Sequence, residues 1–284
     1  MKNSNSPILI SGMHRSGTSM VTKILNKCGL LIGNKLDSNS ESLFFQRINI
    51  WMMSLLGSSW DNPNTFDKIN QDIRADIISQ LKKLITSRAN SLYFGWTNVI
   101  KKGTFDSIQG PWGWKDPRNT FTEDIWKEVF PHLRVIHIIR HPIDVSDSLM
   151  RRQAEEISSD IKQKKKISNV LKALLSISHT NYNSSMLLNS HEDCFSLIES
   201  YYDQMLKTQS ENTIIVRFED ILFNPEIEVM SLLDHCKLKA NSEKLSQILS
   251  GIDASRKYAY KNDTSLIKLE EASRDLADKM GYCN

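Results

Sequence analysis

The chain has 284 residues, 40% of them hydrophobic and 24% charged, with 36 Lys and Arg against 33 Asp and Glu for a net charge of +3. That ordinary balance excludes a disordered, collagenous or coiled-coil chain. The positive excess is too mild to mark a nucleic-acid binder, but it suits an enzyme that handles an anionic cofactor. With no internal repeat and no linker rich in Pro, Gly or Ser, the reading is a single domain over 1–284.

The first apolar run extends only from Pro7 to Ile10, so no signal or transit peptide fits the N-terminus. No stretch approaches the ~20 apolar residues of a membrane span. Cys28, Cys194, Cys236 and Cys283 lie far apart without a C-x-x-C pair. Reduced thiols in a cytoplasm are therefore expected, rather than zinc or a disulfide framework.

In chain order, Pro7–Met13 reads as a short buried strand that passes through a glycine turn into a helix over Thr18–Cys28. Phe44, Phe45, Ile48, Trp51, Met52 and Leu55 recur at helical spacing within Ser42–Leu56. Ile69, Ile73, Ile77, Leu81 and Leu84 mark a further helix. Gly113–Lys115 is a short apolar piece stopped by Asp116-Pro117. Thr120–Val129 is helical, and Leu133–Ile139 is the continuous apolar run of a strand buried on both faces. Pro142–Met150 begins a helix with proline near its first position. A mostly helical stretch fills Ser158–Leu206, Thr213–Phe218 gives a last β-branched strand, and the remainder is helical. Strands alternating with helices predict an α/β fold of three layers around a parallel sheet, P-loop-like, with a helical insertion around 155–210.

The strongest local signal is Gly12-Met13-His14-Arg15-Ser16-Gly17-Thr18-Ser19, between a strand and a helix. Both glycines and Ser19 stand in register with the nucleotide-binding pattern G-x-x-x-x-G-K-[ST], but Thr18 occupies the lysine position. Such a loop still cradles an anion with its backbone N–H groups and the helix N-terminus, and Arg15 adds a forked, permanent charge. A plain strand–turn–helix connection is the bland alternative. The missing lysine argues against a kinase, as does the strand Leu133–Ile139 running out into Arg140 rather than an acidic residue for magnesium.

This loop resembles the 5′-phosphosulfate loop of sulfotransferases that use 3′-phosphoadenosine 5′-phosphosulfate (PAPS). Arg140, with Ser148 eight positions later, resembles the family's 3′-phosphate element, although Arg140 would also suit an ion pair with Asp144. Gly113-Trp114-Lys115-Asp116-Pro117-Arg118 is similar to the Lys-Asp-Pro segment of tyrosylprotein and bacterial sulfotransferases. Val216-Arg217-Phe218-Glu219-Asp220 followed by Asn224-Pro225 is similar to a segment of mostly structural role. The four blocks run from residue 8 to about 225 and are closest to bacterial sulfotransferase-family proteins. The resemblance implies PAPS as donor, no metal, and a small-molecule or glycan acceptor, first of all a carbohydrate hydroxyl.

The resemblance also distributes roles. Gly12, His14, Arg15, Ser16, Gly17, Thr18 and Ser19 would surround the 5′-phosphosulfate, with Thr18 and Ser19 donating hydroxyl hydrogen bonds. Lys115 would neutralise the moving sulfonate, and Arg140 and Ser148 would select the 3′-phosphate. Arg256 and Lys257 lie where family members bring a basic segment over that phosphate. For the general base, Glu41 is the first candidate, equally readable as an acid favoured at a helix start. His14 and Asp116 follow, His14 more as a pocket-lining residue and Asp116 more as a turn brace. Trp60-Asp61-Asn62-Pro63 fits a stacking platform or a core cap, and Lys162–Lys166 fits a solvated helix face better than an acceptor-binding patch. The competing readings are a small-molecule kinase using ATP and magnesium, and a catalytically inactive nucleotide-binding scaffold. Oligomeric state leaves no mark on the sequence.

Overall fold

The computed structural model describes residues 6–87, 90–95, 104–164, 185 and 187–282. Four strands, β1 (Ile8–Gly12), β2 (Gly113–Lys115), β3 (Arg134–Ile139) and β4 (Thr213–Arg217), form one parallel sheet in the order β2-β1-β3-β4. Ile10 lies beside Lys115 on one side of β1, and Ile8 beside Arg134 on the other; Val135 lies beside Thr213. The helices of six or more residues are α1 (Thr18–Lys27), α2 (Leu43–Ser54), α3 (Gln71–Thr86), α4 (Asn119–Val129) and α5 (Pro142–Lys164). They continue with α6 (His191–Thr208), α7 (Phe218–Phe223), α8 (Pro225–His235), α9 (Ser242–Leu249) and α10 (Glu270–Lys279).

Alternation along β1 builds the layers. Ile8 and Ile10 point to one face, where they join Ile136, Ile138 and Val216 with the buried sides of α1 and α8. Leu9 points to the other, into a larger core with Val135, Phe45, Trp114, Trp126 and Tyr201. Phe45 stacks on Trp114 at 3.9 Å between ring centroids. Five consecutive buried residues in β1 are what a strand covered on both faces requires.

Among the described residues the expected strands form and helices lie where the periodicity places them, and two regions read differently in detail. Helix α5 runs past Met150 to Lys164 because Arg151 to Glu156 contains only strong helix formers and no breaker. Within the stretch expected as an insertion, α6 buries Cys194, Ile198, Tyr201 and Met205 in the larger core. Residues 165–184 of that stretch, and with them Lys165 and Lys166 of the basic run, lie outside the described residues, as does Cys283. Among the described residues, no helix is long and apolar enough to cross a membrane.

The chain leaving β1 passes to β2 on one side and the chain leaving β3 passes to β4 on the other, so a crevice opens between β1 and β3 at the C-terminal edge of the sheet. The loop after Gly12, Lys115 at the end of β2, Arg140 after β3 and Phe218 after β4 all arrive at this edge.

Candidate active site

The turn from β1 into α1 needs backbone that only glycine adopts freely. Gly12 and Gly17 have φ of 143° and 99°, and Arg15 between them is also left-handed at 70°. A Cβ on Gly12 would overlap the carbonyl oxygen of Ile138, and one on Gly17 would overlap the Phe218 ring. Gly17 is the N-cap of α1, which has neither a side-chain cap nor an acid in its first turn. Its first amides are left for an anion.

A cavity of about 390 Å³ opens over this turn. Arg15, Lys115, Arg140, Arg152 and Arg256 line it against a single carboxylate, Glu41. Thr18, Ser19, Ser38, Asn39, Ser148 and His14 supply the polar remainder. Burial and the neighbouring Arg140, Arg256 and Arg151 lower the pKa of Arg15, the mark of cations crowded for a ligand of opposite sign.

The side of the cavity nearest the Gly12–Gly17 turn is already partly assembled. Arg15 Nε donates to Ser148 Oγ at 2.8 Å, joining the β1–α1 turn to α5 across 133 residues. Arg140 lies over the Phe218 ring at 4.7 Å, donates to the Arg256 carbonyl at 3.2 Å, and sits 3.5 Å from Asp144. The Asp144 ion pair read from the sequence is thus present, and Arg140 still lines the cavity. Arg140 Nε, His14 Nε2 and Ser16 Oγ are buried without a hydrogen-bond partner among the described residues. Ser16 lies beneath the lining, and an anionic group with several acceptor oxygens fits the orphaned Arg140 Nε and His14 Nε2, the cations and the uncapped amides.

The opposite side of the cavity centres on Glu41, which is buried at the start of the chain leading into α2. Its Oε1 accepts from Lys115 Nζ at 3.0 Å, and its Oε2 accepts from Gln46 Nε2 at 2.9 Å and Arg118 Nη1 at 3.5 Å. Burial pushes the Glu41 carboxyl up, but Lys115, Arg118 and the Gln46 hydrogen bond outweigh it and hold it below its ordinary value. Burial, with Arg152, Arg118 and Lys115 nearby, pushes His14 well below the usual histidine range, so its imidazole is neutral. Its ring meets Trp60 edge-on at 4.7 Å, and Arg152 lies over the Trp60 ring at 4.9 Å.

Most of the residues chosen from the sequence therefore converge. Arg15, His14, Gly17, Thr18, Ser19, Glu41, Lys115, Arg140, Ser148 and Arg256 share the cavity lining. Gly12 and Ser16 shape the turn beneath it. Ser19 turns its hydroxyl to the Asn39 carbonyl at 2.8 Å, tying α1 to the loop that carries Glu41. Lys257 lies on the Phe223 ring at 3.9 Å, away from the lining. Asp116 is fully buried and braces the turn through Arg118 and Asn49, and Trp60 is a core residue behind His14. Sequence reasoning missed Arg118, which follows the Lys-Asp-Pro run and reaches Glu41, and Arg152, one turn after Ser148.

The model of the sulfotransferase family matches residues 7–242. The chain belongs to the sulfotransferase family. This sulfotransferase shares its fold with the sulfotransferase domain of the curacin biosynthetic pathway, at 13% identity, TM-score 0.52 and 98% coverage of both chains. It is also similar to the sulfotransferase domain of the Synechococcus PCC 7002 olefin synthase, at 16% identity and TM-score 0.46, covering 90% of this chain and 79% of that one. A sulfotransferase from Mycobacterium avium aligns at 13% identity and TM-score 0.43, covering 97% of this chain and 77% of the other. No curated protein matches the sulfotransferase in sequence.

Proposed function

We propose that this sulfotransferase moves a sulfonate group from PAPS to a hydroxyl of a carbohydrate acceptor. The observation that carries the reading is one cavity in which the phosphate loop, Lys115, Glu41 and the Arg140–Ser148 pair meet. PAPS would bring a sulfonate bonded through an oxygen to its 5′-phosphate. In the transfer, the acceptor oxygen forms a new bond to sulfur, the bridging S–O bond breaks, and its electron pair leaves on the phosphate.

The chain's own part is positioning and charge. Arg15, Thr18 and the amides of α1 bind the 5′ end, and Arg140 and Ser148 bind the 3′-phosphate with Arg256 at its rim. Lys115 orients and neutralises the sulfonate oxygens. Glu41, ionised and beside Lys115, takes the proton of the acceptor hydroxyl. Ser38 and Asn39 on the same wall offer the polar partners a sugar requires, which supports a carbohydrate over an apolar acceptor. Cys28, Cys194 and Cys236 are buried free thiols, in keeping with a reducing compartment such as the cytoplasm. Thr18 in the lysine position and the Arg140–Ser148 pair disfavour an ATP-dependent kinase.

The test compares 3′,5′-adenosine bisphosphate with AMP by calorimetry. The bisphosphate binds more tightly, and Arg140→Ala removes most of that preference, about 1.5–3 kcal/mol for a charged hydrogen bond. Equal affinity for the two nucleotides overturns the donor assignment. Turnover of labelled PAPS on a panel of sugars then separates an enzyme from an inactive scaffold.

A further inference from the structure

Two cations hold Glu41, and they are built differently. Lys115 lines the cavity, and among the described residues Glu41 is the single group bonded to its Nζ. Its four-carbon stem leaves it able to turn toward a donor. Arg118 does not line the cavity. Its Nη1 and its backbone N–H both donate to Asp116 Oδ1 at 3.0 Å. Asp116 accepts in turn from Asn49 Nδ2 on α2 at 2.9 Å, and Asn49 accepts from Thr122 and from Trp126 Nε1. Arg118 is therefore anchored in a buried lattice spanning α2 and α4, while Lys115 is not.

The two cations also take different oxygens. Lys115 is on Oε1, and Arg118 shares Oε2 with Gln46. We propose that Arg118 is a positioning residue for the transfer: it holds the Oε2 edge of Glu41 as a standing partner, so that Oε1, vacated when Lys115 turns to the donor, takes the acceptor proton. This rests on the sulfotransferase reading above. The step balances there: the acceptor O–H bond breaks, its proton goes to Oε1, and its electron pair forms the bond to sulfur.

Electrostatics requires such a partner. Burial alone favours a neutral Glu41, which could accept no proton. The charged and titratable groups facing it are Lys115, Arg118 and Asp116 from the end of β2 onward, Asp37 in its own loop, and His14 and Arg152 across the cavity. Once Lys115 is committed to the donor, Arg118 is the remaining cation in contact with the carboxylate.

The test follows the Glu41 carboxyl by ¹³C NMR in full-length protein, its signal identified by loss in Glu41→Gln. Lys115→Ala reproduces the departed lysine. In that background Arg118→Met raises the Glu41 titration point by at least one further pH unit, a tenfold change in proton affinity, and Arg118→Lys restores most of it. Because Arg118→Met strands the buried Asp116, the pair Asp116→Asn/Arg118→Met, with its shift taken relative to Asp116→Asn alone in the same background, serves where the single variant does not fold. A shift below 0.3 unit in both overturns the proposal, since a merely structural arginine would lower stability and leave Glu41 unmoved. Binding of 3′,5′-adenosine bisphosphate is measured in parallel. Its absence in the unmutated protein refutes the donor assignment and leaves the Glu41–Arg118 result standing.

Discussion

Glu41→Gln tests whether the buried polar cluster around Glu41 is held by charge. The amide can still accept from Lys115 through its oxygen, but its NH₂ then faces Gln46 Nε2 and Arg118 Nη1, donor against donor. Lys115, 1% exposed, keeps a positive charge with no carboxylate beside it. Removing one partner of a buried pair costs about 3–5 kcal/mol. The low end applies here, about 3 kcal/mol, because Arg118 retains Asp116 and Lys115 borders a cavity that admits water. For a chain of this size that is a fall in Tm of about 6–12 °C. Urea denaturation followed by circular dichroism reads the loss, with Glu41→Gln/Lys115→Met as the partner variant, which regains stability because the unpaired cation is gone. The Glu41 contribution is also pH-dependent: its folded pKa is depressed, so the stabilisation is present above about pH 4.5 and is lost as pH falls through the folded value. A Glu41→Gln protein within 0.5 kcal/mol of the unmutated one refutes this account of the cluster.

Three further outcomes are expected. Lys115→Ala lowers the turnover number by about 10²–10³ while 3′,5′-adenosine bisphosphate binding changes little, because the lysine acts mainly on charge that develops during transfer; pre-steady-state kinetics separates the two. Gly17→Ala places a methyl into the Phe218 ring at a φ of 99°, so bisphosphate affinity falls at least tenfold by calorimetry, whereas Gly29→Ala, equally left-handed but in open space, leaves it unchanged. His141, stacked on Tyr260 and lowered to about 4 mainly by burial, binds its proton in the unfolded chain before the folded one. Stability therefore declines as pH falls from about 6.5 to about 4, by a total of about 3 kcal/mol, and His141→Phe flattens that part of the urea-midpoint profile.

The sequence made the sheet and the Gly12–Gly17 turn readable because their signals are local. Apolar runs bounded by glycine or proline announce β1 and β3, and the spacing of Gly12 and Gly17 announces the turn between a strand and a helix. β2, with only Gly113–Lys115, is too short for periodicity and is marked mainly by the proline that stops it. The buried cluster around Glu41 was harder. Glu41 and Arg118 are 77 residues apart, and nothing in either neighbourhood says that both are buried. The alternation Lys115-Asp116-Pro117-Arg118 was the available clue: charges of both signs crowded after an apolar strand ask for partners. Ser19 illustrates the opposite limit, since its place in the loop pattern points at phosphate, while its hydroxyl is engaged with a loop twenty residues on.

The Phe218 ring lies against Gly17 on one side and under the Arg140 guanidinium on the other. It reaches that place from the far edge of the sheet, at the end of β4. The segment that looks merely architectural in the sequence is thus a keystone between the two halves of the proposed nucleotide site. On the proposed function, chimeras that exchange the β4–α7 segment between family members to alter the scaffold would therefore alter donor binding as well, because the ring supports both Gly17 and Arg140.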